Sequence, residues 1–156
     1  MEIRLWINNR QITADIAADI MLVDFLRQQG YLGVKRGCDT ANCGLCTVWL
    51  EGKPILSCST LAITVNGKHI TTIEGVETEA AAFGQFMADQ GAEQCGFCSP
   101  GFVLTVLAME KELSNPSDED IKSYLSGNLC RCTGYMSQLR AIKNYLSSKQ
   151  EAKSHD

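Results

Sequence analysis

Histidine is nearly missing from this 156-residue chain, which carries only His69 and His155, and proline is scarce at three residues. Any metal site must therefore rest on ligands other than imidazole. No stretch approaches the roughly eighteen consecutive apolar residues that a transmembrane helix needs. No G-x-G-x-x-G run is present, which removes the dinucleotide-binding fingerprint. Basic blocks are absent and the formal net charge is −4, so nucleic acid and anionic membrane are poor partners. Met1 to Asn9 alternates like a strand and lacks the apolar run of a signal peptide, so a cytoplasmic address is expected. Hydrophobic residues at 45% and charged residues at 21% fit one globular domain or two small ones.

Against these shortages stand eight cysteines. Without a secretion signal, a disulfide framework is not expected, and clustered reduced cysteines bind metal. Eight thiols at four per site make two all-thiolate sites with none left over. Cys38, Cys43 and Cys46 follow C-x4-C-x2-C spacing, with Cys58 after eleven further residues. That is the plant-type pattern for a [2Fe–2S] cluster, in which a wrapped loop supplies three thiolates and a neighbouring segment the fourth. Gly37, Ala41 and Gly44 are small enough to let backbone amides approach the sulfurs. The second quartet, Cys95, Cys98, Cys130 and Cys132, combines C-x2-C with a distant C-x-C. Structural zinc also takes four thiolates from paired knuckles. The position of this quartet at helix ends, where positive dipoles face an anionic cluster, favours iron and sulfide.

Residues 2–8 alternate as a half-buried strand, Asn8-Asn9 turns, and 11–16 return as its partner. Asp19 is expected to cap a helix carrying Leu22, Phe25 and Leu26, with Gly30 ending it. Strands follow at 46–50 and 53–56 around Glu51-Gly52, and another, through Ile70 and Ile73, follows the turn at Asn66-Gly67. Beyond Gly75 the period becomes helical. Phe83, Phe86 and Met87 mark one helix, and Ser99-Pro100 opens a second as cap and first residue. Ser117 and Asp120 form a capping box for a third helix, and Leu139, Ile142 and Leu146 mark a fourth. Residues from Ser147 read as a polar, frayed tail. His69 reads as an exposed loop residue. Trp6 and Trp49 read as packing or interface residues, and Phe97 as a shield for the second site or a wedge between helices.

The runs Gln94-Cys95-Gly96-Phe97-Cys98-Ser99-Pro100-Gly101 and Gly127 to Tyr135 follow this plant-type quartet in the chain. Together they closely resemble the iron–sulfur subunit of molybdenum hydroxylases, a family that includes xanthine dehydrogenase, aldehyde oxidoreductase and aerobic carbon monoxide dehydrogenase. The resemblance covers about residues 2–146. It implies an α+β chain: a ferredoxin-like (β-grasp) domain at 1–76, an all-α four-helix domain at 77–148 and a polar tail at 149–156. Each domain would hold one [2Fe–2S] cluster, the first facing a flavin and the second facing molybdenum. Gln94 matches the glutamine that bonds the pterin of the molybdenum cofactor, and Cys132 a ligand beside it. Molybdopterin and FAD would sit on a large and a medium partner subunit, with an N-heterocycle such as a purine as substrate. The first loop departs from the commoner glycines and alanine at Asp39, Thr40, Ala41 and Leu45, with ligand spacing intact. Lys35, Arg36 and Arg131 flank the cysteines as tuning charges or as solvated surface. A free-standing two-cluster carrier and a zinc-stabilised interaction module are the alternative readings.

Overall fold

The computed structural model describes residues 1–154. Strand β1 (Glu2–Ile7) pairs antiparallel with β2 (Arg10–Asp15), Glu2 opposite Asp15. Asn8 and Asn9 make the turn with φ of 51° and 66°, a twist that matches paired strands. Strands β3 (Thr47–Leu50) and β4 (Lys53–Leu56) form a second hairpin around Glu51-Gly52. Strand β5 (His69–Thr71) enters between the hairpins, parallel to β1 and antiparallel to β3. The resulting order is β2-β1-β5-β3-β4. Helix α1 (Leu22–Gln28) lies on one face and buries Leu22, Val23, Phe25 and Leu26 with Ile3, Leu5, Ile7, Val48 and Ile70. This is the small mixed sheet with a helix across it that the alternation implied.

Three local expectations shift. Asp19 does not cap α1; the residue before the helix is Met21, with no side-chain cap. A bridge between Met21 and Leu61 and a 2.7 Å bond from the Leu22 amide to the Thr60 carbonyl set that end instead. Strand β5 stops at Thr71, and Ile73 falls in a 3-10 turn, Ile73–Gly75. There the Thr72 amide donates to the Asn8 side chain at 2.9 Å rather than to a neighbouring strand. His69 belongs to β5 and stacks on Trp6, ring centroids 4.8 Å apart, so it is not a loop residue.

The helical half comprises α2 (Glu77–Asp89), α3 (Ser99–Glu112), α4 (Asp118–Tyr124) and α5 (Met136–Ser154). Helix α3 is its axis, with every residue from Gly101 to Met109 buried. Phe83, Phe102 and Tyr145 form an aromatic seam between α2, α3 and α5. Cys98, rather than Ser99, is the residue before α3, so Ser99 and Pro100 open its first turn. The Ser117–Asp120 capping box forms as expected. Helix α5 continues past Ser147 to Ser154, where a frayed tail was expected. The Gln150 amide donates to Asn115, and Lys149 Nζ lies 3.9 Å from the Glu110 carboxylate of α3, tying this stretch to the bundle. His155 and Asp156 lie outside the described residues.

The halves share packing. Trp49 of β3 is 5% exposed within the helical core, where its indole N–H donates to the Leu104 carbonyl at 3.0 Å. Lys111 sits 4.2 Å above its ring.

Candidate metal centres

Cys38, Cys43 and Cys46 lie on the loop between α1 and β3, and Cys58 on the 3-10 turn after β4. The β3–β4 hairpin accounts for the fourth ligand's arrival. Thr47 stands opposite Leu56, so the residues just beyond them converge. The Ser57 hydroxyl donates to the Cys46 carbonyl at 2.7 Å and pins that convergence. The free thiols of Cys46 and Cys58 lie close enough to influence each other's ionisation, as do those of Cys38 and Cys43. Backbone amides of Thr40, Asn42 and Cys43 converge on Cys38 and hold its thiol down at about 6. Burial pushes the Cys43 thiol up, and burial together with Cys46 pushes Cys58 up to about 11. A bound metal overrides such costs by taking the place of the proton.

The second quartet occupies two interhelical turns. Cys95 and Cys98 precede α3, whose positive end faces them, while Cys130 and Cys132 lie between α4 and α5. Sγ of Cys132 is 3.5 Å from Sγ of Cys95, and Cys98 bonds Cys130. These four line a cavity of about 400 Å³ together with Phe97, Leu129, Arg131 and Tyr135. Burial pushes Cys98 up to about 12. Burial acts the same way on Cys130, but bonds from the Thr133 hydroxyl and from the Thr133 and Cys132 amides bring it below an ordinary thiol. Phe97 lines this cavity and is 48% exposed, so it is not a wedge buried between helices. Gln94, Cys95 and Cys132 are all exposed.

All eight cysteines are free thiols, arranged in four close pairs. Among the described residues no three metal-binding side chains gather around a single ion. Pairs suit a binuclear centre, which bonds two thiolates to each iron, so the donor chemistry and its arrangement fit [2Fe–2S] groups. Arg36 is held between Asp24 of α1 at 2.6 Å and Asp39 of the loop at 2.8 Å. Its charge is therefore spent on fixing that loop.

One juxtaposition had no sequence signal: the quartets touch through the backbone. The Leu129 amide, next to Cys130, donates to the Cys43 carbonyl at 2.9 Å. The approach depends on glycine. A Cβ on Gly101 would meet the Gly44 carbonyl oxygen at 2.3 Å, and one on Gly44, whose φ is +74°, would meet the Gly127 oxygen at 2.4 Å.

Two family profiles match the chain. Residues 6–65 match a 2Fe-2S iron-sulfur cluster binding domain and residues 72–143 a [2Fe-2S] binding domain. The chain is 36% identical over 160 residues to the caffeine dehydrogenase subunit gamma of Pseudomonas sp. strain CBB1, covering 99% of this chain and 96% of that one. It is 44% identical over 122 residues to the xanthine dehydrogenase iron-sulfur-binding subunit of Escherichia coli O157:H7, with 73% and 74% covered. A chain of quinoline 2-oxidoreductase from Pseudomonas putida 86 superposes with a TM-score of 0.88 at 34% identity, covering 97% of this chain and 96% of that chain.

The chain belongs to the iron–sulfur subunit family of the molybdenum hydroxylases. It is an electron-transfer subunit of an oxidoreductase complex, with a ferredoxin-like half and a helical half, each holding a [2Fe–2S] cluster. The match over residues 72–143 is to a [2Fe-2S] binding domain, which speaks against a zinc module in the helical half. Membership also implies partner subunits, against a free-standing carrier. No helix among the described residues is long and apolar enough to cross a membrane.

Proposed function

We propose that this chain relays electrons, one at a time, from a molybdenum cofactor on a large partner subunit to FAD on a medium one. Cys38, Cys43, Cys46 and Cys58 would hold the flavin-side group, within a domain of residues 1–76. Cys95, Cys98, Cys130 and Cys132 would hold the molybdenum-side group, within residues 77–148. Each group, when bound, takes up and returns a single electron.

The observation that carries this reading is the 2.9 Å hydrogen bond from the Leu129 amide to the Cys43 carbonyl. It joins a residue next to one quartet with a member of the other, so no partner chain is needed between them. Cys38 receives three backbone amides, which stabilise negative charge on that sulfur. Leu129 and Phe97 cover the cavity of the second quartet, while its rim stays open at Cys95 and Cys132. That open side suits a docked pterin. Gln94 is exposed beside Cys95 and offers a carboxamide donor and acceptor to a pterin edge, with Cys132 next to it.

The complex is a heterotrimer in the cytoplasm acting on an N-heterocycle such as a purine. In support, the relatives above are named for caffeine, xanthine and quinoline, all nitrogen heterocycles. The test is rapid-freeze EPR on the complex purified with its partners and mixed with xanthine or related heterocycles. The helical-half signal should rise before the ferredoxin-half signal. The reverse order would overturn the proposed direction, and a complex lacking molybdenum and flavin subunits would overturn the partners.

A further inference from the structure

We infer that Thr133 is the residue that raises the reduction potential of the helical-half centre, through its hydroxyl hydrogen bond to the sulfur of Cys130. This rests on the proposed ligation of that centre by Cys130. The bond is 3.2 Å from Thr133 Oγ1 to Cys130 Sγ. A hydroxyl has one hydrogen to give and can also accept. Here its accepting side is taken by the Tyr135 amide at 3.3 Å, which leaves the hydrogen for the sulfur.

The loop is built to keep this geometry. The Tyr135 hydroxyl accepts the Cys130 amide at 3.0 Å, closing the turn from its other end. Gly134 and Tyr135 both hold positive φ, 66° and 70°. A non-glycine residue persists in that region only where its surroundings over-determine it. Thr133 is partly buried, so the bond is not open to free competition from water.

The effect follows from charge. One-electron reduction adds a negative charge to the centre without breaking a bond, and a hydrogen bond to a coordinating sulfur strengthens with that charge. The hydroxyl therefore favours the reduced form. In the other quartet the donors to Cys38, apart from its fellow thiol Cys43, are backbone amides, which no side-chain substitution removes. Thr133 is thus a positioning and tuning side chain specific to one of the two centres.

The experiment is an EPR-monitored redox titration of the full, iron-loaded chain with dithionite as reductant, for the parent, Thr133→Val and Thr133→Ser. Cys95→Ser identifies which signal belongs to the helical half. Val keeps the shape and loses the hydroxyl, whereas Ser keeps the hydroxyl. At a fixed applied potential the reduced-to-oxidised ratio of the helical-half centre should fall about three- to tenfold in Thr133→Val, tenfold being about 59 mV for one electron. Thr133→Ser should stay within about twofold of the parent, and the ferredoxin-half centre should not move in either. Should Thr133→Val not load iron, the smaller Thr133→Ala carries the same expectation. An unchanged ratio at full iron content, or an equal shift of both centres, would overturn the inference. Absence of a helical-half signal in the parent would instead overturn the ligation on which it rests.

Discussion

Two helical glycines offer a sharp contrast. Gly84 in α2 has no atom within 4 Å of where a Cβ would stand. Gly84→Ala should therefore show only the gain in helix propensity, about 1 kcal/mol. Gly101 in the first turn of α3 would place the same methyl 2.3 Å from the Gly44 oxygen and 3.1 Å from Leu45 Cα, both backbone atoms of the first cysteine loop. That loop would have to retreat by about 1 Å to reach ordinary contact. Overpacking of this kind costs about 1–3 kcal/mol. Stretching the Leu129–Cys43 hydrogen bond adds about 0.5–1.5 kcal/mol. Subtracting a propensity gain of at most about 1 kcal/mol leaves Gly101→Ala destabilised by about 0.5–4.5 kcal/mol. For a chain of this length each kcal/mol moves Tm by about 2–4 °C. Thermal unfolding of the iron-loaded variants under anaerobic conditions is the assay. Gly84→Ala should melt about 2–4 °C above the parent and Gly101→Ala about 1–18 °C below it. The quartet-to-quartet contact would be refuted as a tight constraint if both variants melted above the parent.

Cys95→Ser should lose the helical-half centre and keep the other, iron falling from about four to about two per chain; equal loss of both centres would contradict independent sites. Trp49→Phe removes the 3.0 Å indole bond to Leu104 and part of the buried ring, and should destabilise by about 1–3 kcal/mol in denaturant unfolding. The Asp120 carboxyl is held below the usual carboxylate range, chiefly by the Ser117 hydroxyl and then by the Ser117 amide. A depressed folded-state pKa gives stability that is complete above the unfolded value of about 3.9 and lost as pH falls through the folded one. The Tm difference between parent and Ser117→Ala should therefore be full above about pH 5 and shrink below about pH 4. A gap independent of pH would remove Asp120 from the account.

Local chemistry made much of this legible in the residues. Alternation at residues 2–8, the Glu51-Gly52 turn and the Ser117–Asp120 box depend on neighbours within a few positions, and each forms as read. The cysteine spacings are likewise local, and they announced both quartets. What escaped depends on distant partners. Asp19 is a good capping residue by type, yet Thr60 and Leu61 place the helix start two residues later. Helix α5 persists past Ser147 because Asn115 and Glu110 meet a stretch whose own composition is polar. Trp49 reads as a packing or interface residue, but that its partner is the helical half has no local signal. The Cys43–Leu129 bond links positions 86 residues apart through backbone atoms, which carry no residue-type signal at all. Thr133 and Tyr135 did have a signal, a hydroxyl-bearing side chain one and three residues after a C-x-C pair. Only the left-handed turn between them shows what those hydroxyls are for.

The central claim is that eight thiols hold two separate one-electron centres in a single relay. Iron analysis combined with EPR of the dithionite-reduced protein tests it most directly. The account predicts about four irons per chain, visible absorption that bleaches on reduction, and two distinguishable signals of equal intensity. A colourless, zinc-loaded protein, or one signal with about two irons per chain, would contradict it.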